Sequence, residues 1–123
     1  MTVIKAADAP RFELPGAQFT VLAAPSLGSA DVCAWKLTVA PGRDPDAAHT
    51  LDQDEIFMVL SGTVRVTPGG ETVTAGDAVI VPAGKEIQLV NTGSEPAELH
   101  VAIRAGFTGT MADGTKVTPP WAQ

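Results

Sequence analysis

The chain has no tyrosine, and aromatic residues make up only 5% of its 123 positions. Any core must therefore be assembled mainly from Val, Ala, Leu and Ile. Cysteine is almost as scarce. The lone Cys33 excludes an internal disulfide, and it lacks the partners that a cysteine-based zinc site needs. Its neighbours Val32 and Ala34 are apolar, which points to a buried, inert thiol rather than a nucleophile. Basic residues are few as well: eight Lys and Arg stand against fourteen Asp and Glu, for a net charge of −6. They are scattered singly, so no stripe exists to neutralise phosphates, and nucleic acid is not an expected partner. No apolar run approaches the ~18 residues of a membrane span. The opening MTVIKAADAP also lacks the apolar stretch of a signal peptide, which leaves the cytoplasm as the default expectation. No segment carries a clear helical period.

What the chain does have is glycine and proline, twelve and ten residues respectively. They punctuate the sequence at short intervals, which suits many short strands better than a few long helices. Apolar residues reach 45% and charged residues 18%, a balance that argues against disorder. The length fits one domain, expected to span residues 1–123. A domain of this size buries roughly two-thirds of the surface of its unfolded chain.

Strand signals recur along the chain. A short strand, a turn at Pro15-Gly16 and a strand over Gln18–Ala23 come first. In Asp31–Val39, Cys33, Trp35, Leu37 and Val39 alternate with Ala34, Lys36 and Thr38, a period of two. Arg43–Ala48 reads as an acidic loop. Glu55–Leu60 is an apolar run closed by Ser61-Gly62, short enough to be a buried strand. Thr63–Thr67 and Glu71–Thr74 form an expected hairpin around Pro68-Gly69-Gly70. Ala78–Val81, Glu86–Val90 and Glu98–Arg104 complete the set. The tail from Gly106 is expected to be partly irregular, with Trp121 docking on the body or on a partner chain. Eight or nine short strands imply an all-β sandwich or barrel.

Two segments are more specific. From His49 the chain reads H-T-L-D-Q-D-E-I-F-M-V-L-S-G, and from Gly76 it reads G-D-A-V-I-V-P-A-G-K-E-I-Q-L-V-N. These resemble the two signature motifs of the cupin superfamily. His49, Glu55 and Gly62 fall at the spacing of the first motif, and Gly76, Pro82, Gly84 and Asn91 at the spacing of the second. The resemblance implies a small single-domain cupin, an all-β jelly-roll barrel (double-stranded β-helix). Its barrel core would lie at about residues 30–104, with segments 1–29 and 105–123 packing on the barrel or on a partner. It also implies a homodimer.

In metal-binding cupins the motifs usually supply three His and one Glu. Carried over by position, His49 is the first His and Glu55 the carboxylate, but Leu51 and Ile87 stand where the other two His would be. Neither can donate a lone pair, and two ligands hold a divalent ion poorly. No cofactor is therefore expected. If a divalent metal does bind, His49 and Glu55 are its ligands, with Asp52 and Asp54 near the mouth as replacements. His100, the remaining histidine, shares a face with Glu98, Ala102 and Arg104.

The family geometry places Glu55, Phe57 and Val59 inside the barrel, together with Leu51, Ile87 and Leu89. By alternation Gln88 points away. The result is an apolar small-molecule pocket with His49 and Glu55 as the candidate catalytic pair. Three functions stay open: a metal-independent isomerase, cyclase or lyase, a metal-dependent cupin enzyme of the dioxygenase type with altered ligands, and a non-catalytic ligand-binding or regulatory barrel.

Overall fold

The computed structural model describes residues 1–123. Twelve strands follow in chain order. They are β1 (Arg11–Leu14), β2 (Ala17–Ala23), β3 (Val32–Val39), β4 (His49–Leu51), β5 (Glu55–Ser61) and β6 (Thr63–Thr67). After these come β7 (Thr72–Thr74), β8 (Ala78–Val81), β9 (Gln88–Asn91), β10 (Ala97–Arg104), β11 (Gly109–Met111) and β12 (Lys116–Val117). The helical content is two single 3-10 turns, Pro25–Leu27 and Pro120–Ala122.

One layer is a six-stranded sheet in the order β1-β2-β3-β10-β5-β8. The other layer is built from two three-stranded sheets, β12-β11-β4 and β7-β6-β9. A single bridge between His49 and Ile87 closes the seam between those two sheets. The layers face each other as a jelly roll, and an all-β fold is what the turn-rich sequence demands.

Alternation sets the two faces. Along β10 the residues Ala97, Leu99, Val101 and Ile103 are buried, while Glu98, His100 and Ala102 are half-buried and Arg104 is exposed. The register stacks Leu99 between Leu37 and Val59, Val101 between Trp35 and Phe57, and Ile103 between Cys33 and Glu55. Each inward side chain thus meets an inward neighbour on both sides, the cross-strand contact that stabilises a sheet. Burying Leu99 and Val101 completely contributes about 1.5–3 kcal/mol each.

The motif residues do structural work. Gly62 turns the chain between β5 and β6 at a φ of +84°, and a Cβ there would lie 2.7 Å from Ala97 Cα. Only glycine fits both constraints. The Pro82-Ala83-Gly84 corner is lashed to the β4–β5 connection. The N–H of Ala83 donates to Asp54 Oδ1 at 2.9 Å, and that of Gly84 donates to Leu51 O at 2.8 Å. Asn91 is buried, donates from Nδ2 to the carbonyls of Val39 and Glu95, and accepts from the Gly93 N–H. As expected, its side chain satisfies loop backbone groups.

The barrel draws strands from a wider stretch than residues 30–104. Strand β2 pairs with β3 along most of its length and buries Ala17, Phe19 and Val21. On the other side, β11 pairs with β4. The C-terminal end is clamped: Ser26 Oγ donates to Gln123 O at 2.6 Å, and Cys33 Sγ donates to Ala122 O at 3.4 Å. No helix is long and apolar enough to cross a membrane.

Candidate functional site

The barrel holds a cavity of about 520 Å³ that opens to the surface. Strand β5 supplies Glu55 and Phe57, β4 supplies His49 and Leu51, and β3 supplies Trp35, Leu37 and Val39. Phe107 and the segment Val117–Trp121 line it from the C-terminal side.

Glu55 is the first residue of β5 and lies opposite Ile103 on one side and Val81 on the other. Both partners are apolar, and Glu55 is 5% exposed. No ion pair reaches its carboxyl. Among buried side-chain polar atoms, the one both sealed from open space and without a partner is Trp35 Nε1. The Glu55 oxygens therefore keep contact with the cavity. Burial alone lifts the Glu55 pKa from 4.5 to about 7. The mechanism is desolvation of the carboxylate, with no neighbouring charge to offset it.

His49 stands at the seam, between the main cavity and a smaller surface recess lined by Glu86 and Thr110. Its Nδ1 lies 3.2 Å from Ala47 O. The tautomer with Nδ1–H satisfies that carbonyl and leaves Nε2 free to accept a proton or a hydrogen bond. His49 and Glu55 share the cavity wall, but they form no ion pair with each other.

Leu51 and Ile87 are 6% and 3% exposed and line the cavity beside His49. Phe57 and Leu89 line it as well. Val59 does not. It is buried, but it lies farther along β5 opposite Leu99, where side chains from the two layers close the core. Gln88 also departs from the reading by alternation. It borders the cavity, where its Nε2 donates to Asp46 O at 3.0 Å. The pairing explains why: Ile87 belongs to the isolated bridge with His49, whereas Gln88 begins β9, so strict alternation does not carry across them.

His100 stays outside, paired with Lys36 and Met58 on the outer face of the six-stranded sheet. Asp52 and Asp54 serve the backbone. Asp52 Oδ1 accepts the Thr108 N–H at 2.8 Å, and Asp54 Oδ1 accepts the Ala83 N–H. No group of three or more His, Cys, Asp or Glu comes together anywhere in the chain. The donor set at the cupin metal position is His49 and Glu55, completed by two aliphatic side chains. It does not fit a resident divalent ion.

Sequence reasoning missed several wall residues. Arg43 and Asp46 sit at the rim, with Arg43 Nη2 on Asp46 Oδ1 at 2.8 Å and Arg43 Nε donating to Pro15 O. Nothing in an acidic loop marks it as a rim. Trp35 and Leu37 were detectable, because the period of two on β3 already places them inward. Trp121 stacks on Phe19 with ring centroids 3.7 Å apart and planes at 14°, and it meets Trp35 edge-on at 6.5 Å.

The family model described as the cupin domain matches residues 35–103. The chain is a cupin. Solved structures agree on the fold. A polyketide cyclase, RemF, from Streptomyces resistomycificus is 16% identical with a TM-score of 0.73, over 85% of this chain and 79% of that one. A cupin-superfamily sugar phosphate isomerase from Silicibacter pomeroyi is 21% identical with a TM-score of 0.72, over 89% and 81%. Among curated proteins, mannose-1-phosphate guanylyltransferase 2 of Escherichia coli O157:H7 is 33% identical over 76 residues. Those residues are 60% of this cupin but only 16% of the transferase.

Proposed function

We propose that this cupin binds a small molecule in its barrel and moves a proton on it through Glu55, without a metal. The reaction class is isomerisation, cyclisation or elimination. One observation carries the reading: a buried carboxyl group with no protein partner faces a mostly apolar cavity. A group titrating near 7 is populated in both forms at neutral pH, so it can take a proton from one atom of a ligand and return it to another. His49, with Nε2 free at the seam, orients the ligand or receives the proton next. Two structurally similar cupins are named as a cyclase and an isomerase, classes of reaction that proton transfer can drive.

A neutral probe substrate tests this directly. With 5-nitrobenzisoxazole, the carboxylate takes the C3 proton, the C–H electrons form the nitrile, and the N–O bond breaks to release the phenolate. The expected rate rises with pH through about 7, resists chelators, and falls by about a hundredfold in Glu55→Gln. An unchanged rate in Glu55→Gln would overturn proton transfer by Glu55. Ligand binding without any turnover would leave a binding barrel instead.

A further inference from the structure

The chain owns four Phe and two Trp, and all but Phe12 line the one cavity. So uneven a distribution calls for a reason, because a barrel core of this size is filled adequately by Val, Leu and Ile elsewhere in the same sheets. Core packing explains part of it: Phe57 is 4% and Phe107 2% exposed. Trp121 packs as well, stacked on Phe19 and edge-on to Trp35, but it stays half-buried at the end of a tail and borders the cavity.

The charges on the wall point the same way. Arg43 is the only Lys or Arg there, and Asp46 and the Pro15 carbonyl already occupy its guanidinium. Gln88 is committed to Asp46 O. A phosphate needs an uncommitted cation or a cluster of N–H donors, and a sugar needs several polar partners for its hydroxyls. This cavity has no free Lys or Arg, and its uncommitted polar side chains come down to Glu55, His49 and Thr118 against a mostly apolar wall.

Building on the reading of Glu55 above, we infer that the ligand is an uncharged, planar aromatic or conjugated ring system bearing a hydroxyl or carbonyl group. Its face packs against the wall of Trp121, Phe19 and Trp35, and its oxygen is presented to Glu55. Aromatic rings prefer offset or edge-to-face contact with other rings, and five of the chain's six Phe and Trp rings border this cavity. Glu55 is the one buried polar group that such a ligand must satisfy.

The molecule carries its own reporter. With no Tyr, and with both Trp in the cavity wall, the intrinsic fluorescence comes from the site itself. Titration with the neutral probe N-phenyl-1-naphthylamine should quench it saturably. Mannose 1-phosphate and inorganic phosphate should leave it unchanged. Trp121→Leu keeps apolar bulk but loses the ring, and should weaken probe binding about three- to tenfold, whereas Trp121→Phe should stay within about twofold. Circular dichroism checks that both variants fold. If Trp121→Leu alone fails to fold, the contrast between probe and sugar phosphate in the unaltered protein decides.

Saturable binding of mannose 1-phosphate, absence of probe binding, or equal affinity in the Leu and Phe variants would overturn the inference. Binding does not depend on proton transfer. A protein that binds the probe but turns over no benzisoxazole therefore loses the catalytic reading and keeps the ligand class.

Discussion

His49 and Ile87 hold each other by the backbone: the His49 N–H donates to Ile87 O at 3.3 Å, and the Ile87 N–H donates to His49 O at 2.8 Å. This bridge joins the two halves of the second layer. It brings the first position of one cupin motif opposite the third histidine position of the other. Partners in such a pair project to the same side, with Cβ atoms about 4.5–5.5 Å apart. Leu51, two residues along β4 from His49, joins them on that side. Three of the four ligand positions are thus assembled by backbone pairing alone, whatever side chains they carry.

A ligand set can therefore be rebuilt. The double variant Leu51→His/Ile87→His should bind Zn²⁺ or Ni²⁺ stoichiometrically by calorimetry, and His49→Ala on top of it should weaken binding at least about tenfold, since three ligands remain. Without metal it should be less stable by about 2–4 kcal/mol, because two imidazoles replace well-packed aliphatics. If the unaltered protein, purified without added metal, carried one ion per chain in elemental analysis, the degenerate-site reading would be wrong.

Glu55 couples stability to pH. Its pKa is raised by burial from 4.5 to about 7 in the folded chain. Between those values the folded state holds a proton that the unfolded state has released, so stability falls as pH rises. The contribution is fully present below about 4.5 and is lost by about 7, a change on the order of 3 kcal/mol. Glu55→Gln removes this slope. Urea unfolding at pH 5 and pH 8 should show the variant gaining on the parent at the higher pH. Parallel pH profiles for the two proteins would mean that Glu55 is ionised in the fold.

The two motifs made the barrel legible because Gly62, Gly84 and Asn91 answer backbone demands that few residues can meet, and such demands recur at fixed spacing. Alternation on β3 and β10 placed the core for a similar reason. The three short strands β4, β11 and β12 were not legible. Two or three residues carry no period, and their pairing is decided by partners far along the chain. The cavity was legible only where a strand continued unbroken. It failed at Gln88, where the bridge interrupts alternation, and at Val59, which is inward but lies beyond the cavity. The rim of Arg43 and Asp46 depends on loop geometry and left no mark in the sequence.

The outer face of β5 and β8 carries Met58, Leu60 and Ile80, exposed at 37%, 42% and 65%. Strand β8 is also the free edge of its sheet. Apolar side chains beside an unpaired edge are costly in water and suit a second copy of the same surface. A homodimer through this face is expected in light scattering at micromolar concentration. Ile80→Lys should shift it to monomer without loss of secondary structure. A monomeric parent protein would end the idea.

Cys33 reports on the C-terminal clamp. Its thiol is fully buried, it donates to Ala122 O, and burial pushes its pKa up. A thiol in that setting reacts slowly, because the thiolate is both rare and shielded. Labelling with an aromatic disulfide reagent should therefore be limited by opening of the fold. Removal of residues 121–123 takes away the acceptor carbonyl, the stacked Trp121 ring and the Ser26–Gln123 bond at once. Because Cys33 sits on the central strand β3 rather than on the tail, the truncated chain should still fold, yet label at least about tenfold faster through local opening. Equal labelling rates would show that the other residues around β3 shield the thiol without help from the tail.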